Sequence, residues 1–315
     1  MSKKQYRVAL IGHTGYAGQV LHALLMHHPE VEPFVITTRN ADAAGARSCA
    51  GADVVMLATP SEASRAWVSA LRDAGHKTID LSDAHRQSDG VHYGLPEIFG
   101  APAVGADLIA NPGCYPTASL LALRPLLDAG CIEPEGIAIL GASGTSGAGK
   151  SLREDLHFSA LHDNVFPYKV GEHRHTPEIE RHLGAPVTFV PTLLPIVRGM
   201  LVTAFVRPTA PPDVLLDALR SAYEPHHWVT VLPKPGSGLG VRHVVGTHQA
   251  LLAVGPIERS GLVPVFAAID NLLRGAASLA VHNLNLWLSM PPELGLPPPR
   301  LDLPDGPPPM TRMLP

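Results

Sequence analysis

The chain lacks the features that nucleic-acid-binding and membrane proteins need. Its formal net charge is −4 at pH 7, and no run of Lys or Arg is longer than the pair Lys3–Lys4. Clustered cations bind a phosphate backbone, so we expect no nucleic-acid partner. The apolar run VALIG at residues 8–12 is too short for a membrane span or for the apolar core of a signal peptide. We therefore expect a cytoplasmic protein without a membrane partner.

Cysteine is also scarce. Only Cys49, Cys114 and Cys131 occur in 315 residues, which without an export signal argues against a disulfide framework. We interpret Cys49 and Cys131 as small buried hydrophobic residues. What the chain does have, 45% hydrophobic and 17% charged residues, is typical of a globular protein long enough for two domains.

The first third of the chain alternates short apolar runs with helical patterns. The apolar runs are RVALIG, EPFVITTR, ADVVMLATP and HKTIDLSD, and the helical patterns are GYAGQVLHALLMHHP and SEASRAWVSALRDAG. Such alternation predicts βαβ units and a parallel sheet with helices on both faces. We therefore expect an α/β domain of the doubly wound, Rossmann type.

The pattern changes after Asn111. A helical stretch over 117–130 precedes four apolar runs divided by Pro and Gly, namely GIAILGAS, PVTFVPTLLPIV, GMLVTAFVRP and QALLAVGPIE. We predict a mostly antiparallel sheet in a second, α+β domain. An exposed apolar sheet face would need covering, so we expect a homo-oligomer, a dimer or a tetramer.

The next segment, VPVFAAIDNLLRGAASLAVHNLNLWLSM, predicts one long helix that returns to the first domain, with apolar residues at Val265, Ile269, Leu272 and Leu273. The last 25 residues are rich in proline and predict an extended tail. The domains are therefore expected at 1–112 with 264–290, at 113–263, and as a tail at 291–315.

A glycine motif, GHTGYAG, follows the first predicted strand directly. Gly12, Gly15 and Gly18, with Thr14 and Tyr16 between them, open the next helix. Such glycines allow a tight turn and let a pyrophosphate approach the helix N-terminus. The motif therefore predicts dinucleotide binding, although a merely structural strand, turn and helix would look the same.

The end of the second strand indicates which dinucleotide binds. An acidic residue there suits the ribose hydroxyl of NAD, whereas a cation suits the 2′-phosphate of NADP. The strand ends Thr37-Thr38-Arg39, which favours NADP(H). The alternative is that Arg39 is an ordinary solvated surface residue.

A second glycine stretch, GASGTSGAGKS, matches the phosphate-binding loop of nucleoside triphosphatases at Gly144, Gly149, Lys150 and Ser151. Such an enzyme should also offer an apolar strand that ends in a magnesium-binding Asp. The runs ADVVMLATP and VTFVPTLLP do not. We therefore interpret the match as a coincidence.

Cys114 stands in a turn, NPGCYP, just before a predicted helix with Pro116 in its first turn. The free amides and dipole at a helix N-terminus stabilise a thiolate. Cys114 is therefore a candidate nucleophile, the alternative being a buried hydrophobic residue.

His173, Arg174 and His175 precede a helix that Thr176 would cap and Pro177 would begin. An extended triplet would place both histidines on one side and Arg174 on the other. Zinc binding is an alternative, but further ligands are missing from the pattern, so we expect no metal. An acid–base histidine beside an anion-binding arginine fits a thiol enzyme better.

With NPGCYPTA, HRHTPEI, GHTGYAG, SGTSGAGK, PIVRGM and AIDNLLRGAASLAVHNLN, the chain resembles the N-acetyl-gamma-glutamyl-phosphate reductase family over residues 6–290. The resemblance implies that Cys114 attacks an acyl phosphate, that NADPH reduces the resulting thioester to a semialdehyde, and that His175 or His173 moves the protons. It also implies a set of binding residues: Arg174 and Arg198 for the carboxylate or phosphate of the substrate, and Ser143, Gly144, Gly147 and Asn283 for the cofactor.

The chain departs from the family pattern at several points. The connection NADAAGARSCAG is short, so the dinucleotide-binding domain looks trimmed, DLSDAHR replaces DLSADFR, and GTHQ replaces a motif closer to GSN. Two alternatives stay open: a reductase of carrier-protein-bound aminoadipyl phosphate, and a non-catalytic dinucleotide-binding regulator. Aspartate-semialdehyde dehydrogenase shares the chemistry, but HRHTPEI is not its motif.

Overall fold

The computed structural model describes residues 5–103 and 105–298. The chain divides into two compact units. The first runs to Gly113 and resumes at Ala276–Leu296, and the second is built from Cys114–Gly275. The first division lies one residue from the predicted one, whereas the return to the first unit comes at residue 276 and not at 264.

The first unit contains a parallel sheet with helices on both faces. Its elements are β1 (Tyr6–Ile11), α1 (Tyr16–His27), β2 (Val31–Ile36), α2 (Ala43–Arg47), β3 (Val54–Leu57), α3 (Ser61–Asp73), β4 (Thr78–Asp80), β5 (His92–Tyr93), α4 (Pro96–Phe99), β6 (Leu108–Ala110) and, after the second unit, α10 (Ser278–Trp287). The strand order is β2-β1-β3-β4-β6-β5, and every pairing is parallel.

Alternate residues of β1 explain why both faces are covered. Val8 and Leu10 pack into one core with α1 and α10, whereas Ala9 and Ile11 pack into the other with α3. A strand buried on both faces reads as a continuous apolar run. The predicted α/β fold class is therefore confirmed.

The second unit contains a mixed, mostly antiparallel sheet. Its elements are α5 (Cys114–Asp128), β7 (Ile137–Gly144), α6 (Phe158–Leu161), β8 (Phe166–Pro167), α7 (His175–Leu183), β9 (Val187–Leu194), β10 (Met200–Val206), α8 (Pro212–Tyr223), β11 (Val229–Val231), α9 (Val241–Val244), β12 (Ala250–Val254) and β13 (Val263–Ile269). The strand order is β11-β12-β13-β10-β7-β9-β8. Only the β11–β12 and β7–β9 pairings are parallel.

The two faces of this second sheet differ. Helix α5, of which ten of 15 residues are buried, packs against β10 and β13 on one face. On the other face Leu140 of β7 and Phe205 of β10 are exposed. The apolar face that the sequence predicted is therefore present.

The prediction of one long helix over 264–290 is wrong. The segment forms β13, then a π-helical turn over Leu273–Ala277, and only then α10. Spacing misled the prediction, because Val265 and Ile269 are four residues apart, which places them on one side of a helix and equally on one side of a strand. Every residue of β13 except Phe266 is buried, so the strand carries no polar alternation that would reveal it.

The predicted extended tail begins as folded structure. Leu294 and Leu296 pack against the core that contains α10. The side chain of Asn285 donates to the carbonyls of Pro292 (3.0 Å) and Leu294 (2.8 Å). Residues 299–315 of the predicted tail lie outside the described part of the chain.

Across residues 5–103 and 105–298, we find no helix with the length and apolar character to cross a membrane.

Candidate active site

The glycine motif forms the turn between β1 and α1. Gly12 has a φ of +88°, and a Cβ there would lie 2.4 Å from the carbonyl oxygen of Ala58. At Gly18 a Cβ would lie 2.2 Å from the carbonyl oxygen of Gly12. Both positions therefore require glycine, one for its backbone conformation and one for the close approach of helix to strand.

The space in front of this turn can accept a ligand. A Cβ on Gly15, the N-cap of α1, would meet nothing nearer than 3.9 Å, and no side chain caps the helix. Thr14 and Tyr16 on either side are exposed, Tyr16 by 40%. Backbone amides at an uncapped helix N-terminus bind anions, so this turn fits a pyrophosphate.

Arg39 lies exposed in the loop that follows β2. The nearest carboxylate along this loop, Asp42, caps α2 by accepting a hydrogen bond from the amide of Gly45 at 2.8 Å. Residues 37–53, where the sequence looked trimmed, contain that short helix and no strand. The loop therefore presents a cation where an NAD-binding chain would present an acid.

Cys114 is the first residue of α5 and is half-buried. The helix begins three residues earlier than its pattern, so Cys114 is its first residue and does not lie in the preceding turn as predicted. Gly275, in the π-helical turn, packs directly on the nucleophile candidate: a Cβ at Gly275 would lie 2.6 Å from Cys114 Cβ. Both other cysteines are buried, and burial raises the pKa of the Cys49 thiol. Only Cys114 combines partial exposure with a helix N-terminus.

Both histidines of the HRH triplet are buried, and their rings lie 4.8 Å apart. Arg174 between them is exposed, but its backbone is helical, so the triplet is not extended as the predicted division of sides required. The predicted cap is wrong, because α7 begins at His175, and Arg174, in a helical conformation, is its N-cap. The pattern Thr-Pro suggested a cap and a first turn two residues too late.

His173 is enclosed by rings. Those of Tyr115, Tyr168 and Phe189 lie edge-on at 5.7, 5.4 and 5.4 Å. Its Nδ1 accepts the backbone amide of His175 at 3.1 Å. Burial, then the charges of Arg174 and Lys169, lower the pKa of His173 to about 4. His173 is therefore a neutral side chain that orients the start of α7.

His175 shares one neighbour with His173. The ring of Tyr115, the residue after Cys114, lies 5.9 Å from the ring of His175. One helical turn further along α7, the carboxylate of Glu178 is almost completely buried. Residues three apart on a helix are neighbours, so Glu178 lies on the same side of α7 as His175. Sequence analysis missed Glu178, although the spacing His-x-x-Glu on a helix would have revealed it.

Arg198 is an anion-binding candidate with an unused hydrogen-bond donor. Its Nη2 is buried and has no hydrogen-bond partner within the described ranges, and its Nε lies 3.6 Å from Asp270 Oδ2. Asn271 accepts the amide of Gly199 at 2.8 Å, and its side-chain amide donates to Ser146 at 3.0 Å. Asp270 and Asn271 thus fix the segment that carries Arg198. Both were missed by sequence analysis, since only the fold brings them to this loop.

The stretch Ser143–Ser151 does not form a phosphate-binding loop. Residues 145–157, all described, contain only two short 3₁₀ turns, Thr145–Ala148 and Glu154–Leu156, and no α-helix. Gly144 packs on the backbone of Val197 and Arg198, where a Cβ would lie 2.8 Å from either residue. The hypothesis of a nucleoside triphosphatase is therefore wrong. Ser143 is buried at the end of β7, and Gly147 is exposed.

Asn283 of α10 is completely buried in the first unit. Its side-chain amide donates to the carbonyl of Gly94 at 2.8 Å and to Asn111 Oδ1 at 3.1 Å. Its own Oδ1 is buried and has no hydrogen-bond partner in the part of the chain that the structure describes. The residue is thus a fixed side chain with one acceptor unused.

The described residues contain no cluster of three or more His, Cys, Asp or Glu side chains placed to coordinate a metal.

Two family models match the chain. The model described as semialdehyde dehydrogenase, NAD binding domain, matches residues 7–104, and the model described as semialdehyde dehydrogenase, dimerisation domain, matches residues 114–271. Two curated relatives, from Desulforudis audaxviator and Shouchella clausii, are N-acetyl-gamma-glutamyl-phosphate reductases that are 38% and 37% identical to it. Both alignments cover 92% of this chain and 97% of the relative.

Solved structures share the fold at lower identity. Aspartate semialdehyde dehydrogenase II from Vibrio cholerae, complexed with ASA, superposes with a TM-score of 0.73 at 19% identity, covering 91% of this chain and 99% of that one. The aspartate semialdehyde dehydrogenase with NADP from Candida albicans superposes with a TM-score of 0.65 at 14% identity, covering 90% and 98%. These likenesses establish the fold alone.

Proposed function

The chain belongs to the N-acetyl-gamma-glutamyl-phosphate reductase family of semialdehyde dehydrogenases, and we propose that it reduces N-acetyl-γ-glutamyl phosphate to the semialdehyde with NADPH, through a thioester on Cys114. It is an enzyme that binds NAD(P) and reduces an acyl phosphate. The exact substrate, the choice of NADP over NAD and the roles of single residues are the proposal.

Cys114 acts first. The amides at the start of α5 stabilise its thiolate, and His175, oriented by the buried Glu178, takes the thiol proton. The thiolate attacks the acyl carbon, the bond from carbon to the phosphate oxygen breaks, and His175 returns its proton to the departing phosphate. His173 stays neutral throughout, because its pKa of about 4 is too low for a proton carrier near pH 7.

The hydride that reduces the thioester comes from a reduced nicotinamide, which is the chemistry that the cofactor supplies when bound. The tetrahedral oxyanion left on the acyl carbon then re-forms its carbonyl as the bond from carbon to Cys114 sulfur breaks. The products are the aldehyde and the Cys114 thiolate, so the nucleophile is ready for another turn.

Arg198 and Arg174 bind the anionic ends of the substrate. The unused Nη2 of Arg198 offers the two-point grip that a guanidinium gives a carboxylate or phosphate. Arg174 is exposed next to both histidines, which suits an anion that arrives from solvent. We assign Arg198 to the end that must be held rigidly, because Asp270 and Asn271 fix its segment.

NADP(H) is the proposed cofactor. Arg39 after β2 would pair with its 2′-phosphate, while Asp42 is occupied as a helix cap. The amides near Gly12, Thr14, Gly15, Tyr16 and Gly18 would bind the pyrophosphate. Asn283, through its unused Oδ1, would accept a hydrogen bond from the nicotinamide side, and Ser143, Gly144 and Gly147 remain cofactor candidates by resemblance.

A homodimer is the proposed assembly. On β7 and β10 of the second unit, the side chains that alternate with buried ones are partly or fully exposed: Ala138, Leu140, Ala142, Leu201, Thr203 and Phe205. An apolar sheet face of this kind is typical of an interface between subunits. The family model that matches this unit is described as a dimerisation domain, which supports the proposal. A cytoplasmic location stays a prediction.

The observation that carries the proposed chemistry is Cys114 at the N-terminus of a buried helix, with Tyr115 in contact with both histidines. The test runs the reaction backwards, because acyl phosphates are labile. N-acetylglutamate semialdehyde, NADP⁺ and phosphate are supplied, and NADPH absorbance is followed for wild type, Cys114→Ala and, as a matched thiol control, Cys131→Ala.

Phosphate-dependent NADPH formation that is lost only in Cys114→Ala would support the substrate class and the nucleophile together. Activity that survives in Cys114→Ala would refute the thioester. Folded wild type without activity would refute the substrate, and the carrier-bound aminoadipyl substrate would be tried next. Binding of NADP⁺ without activity on either substrate would favour the regulator.

A further inference from the structure

A buried carboxylate holds a histidine in the loop after β4 of the first unit. Asp80, the last residue of β4, is completely buried. Its carboxylate accepts hydrogen bonds from the amide and hydroxyl of Ser82, each at 2.9 Å, and from His85 Nδ1 at 2.8 Å. The proposed reaction uses none of these three side chains.

The contact fixes which ring nitrogen of His85 donates. A carboxylate can only accept, so Nδ1 of His85 carries a proton, and in the neutral ring Nε2 is then an acceptor. The side chain of His85 is 16% exposed. A histidine that merely satisfied Asp80 would not need an accessible edge, because Ser82 already supplies two hydrogen bonds.

The loop lies where the fold binds ligands. In an open parallel sheet, dinucleotides bind outside the carboxyl ends of the strands, at the point where the strand order reverses. Here the chain passes from β1 to β2 on one side and then to β3 and β4 on the other. The end of β2 contacts the adenosine ribose in such folds, so the nicotinamide half falls over the ends of β3 and β4.

An unused acceptor is linked to this loop through Asn111. The amide of Asn111, which follows β6, donates to the carbonyl of Asp80 at 2.8 Å. Asn111 Oδ1 in turn accepts from Asn283, whose own Oδ1 is buried without a partner in the described chain. Arg86 donates to the backbone carbonyls of Asn111 at 2.8 Å and of Leu81 at 2.6 Å, whereas the side-chain oxygen of Asn283 is left to accept from a ligand.

We propose that His85, oriented by Asp80, binds the carboxamide of the nicotinamide ring by accepting a hydrogen bond from its NH₂ group at Nε2. The carboxamide is the group of the nicotinamide that offers N–H donors, and it directs which face of the ring is presented. The inference rests on the proposed dinucleotide cofactor, and it makes His85 a further cofactor-contacting residue.

The test compares two dinucleotides and three variants by binding alone. NADP⁺ and its 3-acetylpyridine analogue, in which a methyl group replaces the NH₂, are each titrated into the protein, and tryptophan fluorescence is followed. His85→Phe removes the acceptor, and His85→Gln keeps an acceptor near the position of Nε2. His76→Phe is the matched control, since His76 precedes β4 at its other end.

We expect His85→Phe to weaken NADP⁺ binding about threefold to tenfold, the effect of one hydrogen bond, and to leave binding of the analogue unchanged. His85→Gln should bind NADP⁺ nearly as wild type does, and His76→Phe should match wild type with both ligands. Thermal unfolding of each variant checks the fold.

Equal weakening for both dinucleotides, or no weakening for either, would overturn the role of His85. Wild type that binds neither dinucleotide would overturn the cofactor and this inference together. The expected binding pattern in a protein that fails to form NADPH from the semialdehyde would overturn the proposed reaction and leave the His85 site standing.

Discussion

Gly275→Ala tests whether the π-helical turn positions the nucleophile. An added Cβ would lie 2.6 Å from Cys114 Cβ and 3.0 Å from its Cα. Carbon atoms pack at about 3.5–4.0 Å, so the substitution requires a movement of about 1 Å. These two Cys114 atoms carry the sulfur at the start of α5. A shift that relieves the contact therefore also displaces the Cys114 sulfur.

Gly275→Ala should lower the catalytic rate strongly and the free energy of unfolding only slightly. Displacing a reacting atom by about 1 Å costs on the order of 100-fold in rate. Overpacking costs about 1–3 kcal/mol, but replacing a helical glycine by alanine contributes about 1 kcal/mol of stability. The free energy of unfolding should therefore fall by about 0–2 kcal/mol, and the protein should stay folded.

The assay is NADPH formation from the semialdehyde, NADP⁺ and phosphate, together with denaturant unfolding. Gly236→Ala is the control, because Gly236 is exposed and a Cβ there meets no atom within 4 Å. A folded Gly275→Ala protein with the wild-type rate would refute the reasoning. A loss of rate that is fully explained by a smaller folded fraction would also refute it, because the effect would then not be local to Cys114.

Three further predictions concern pH, the cofactor and assembly. The pKa of His173 falls from 6.5 to about 4 on folding. Between these values the unfolded chain binds a proton that the folded chain does not, so the free energy of unfolding decreases as the pH falls from 6.5 towards 4. At about pH 5 the decrease is ~1–2 kcal/mol. His173→Asn, which keeps an acceptor for the His175 amide, should remove that part of the loss in urea unfolding at both pH values, and an unchanged pH dependence would contradict it. Arg39→Ala should weaken NADP⁺ binding about tenfold without changing NAD⁺ binding, and equal effects on both would mark Arg39 as a surface residue only. Leu140→Asp should weaken the dimer at least about tenfold in sedimentation, whereas a dimer of unchanged affinity would place the interface elsewhere.

Local patterns predicted most of the first unit. β1, β3 and β4 are buried on both faces, so their apolar runs are continuous. The motif GHTGYAG predicts the turn after β1, because the turn needs glycine at Gly12 for its positive φ and at Gly18 for the close approach of helix to strand. Local patterns also indicated Cys114 and the HRH triplet as candidate catalytic residues. A helix start and a polar triplet are recognisable without knowledge of long-range contacts. Local patterns failed at β13, where an even spacing of apolar residues suits helix and strand alike.

Sequence patterns were enough to predict the two-unit α/β and α+β architecture, the glycine turn after β1, the nucleophile candidate and the histidine pair, because each depends on residues close together in the chain. Other features became visible only in the folded chain: which histidine is enclosed and neutral, that Asp270 and Asn271 fix the segment of Arg198, that Gly275 packs on Cys114, and that the buried Asp80 holds His85. These roles follow from burial and from which side chains the fold brings into contact. Burial and long-range contact belong to the packed molecule, and no spacing along the chain encodes them.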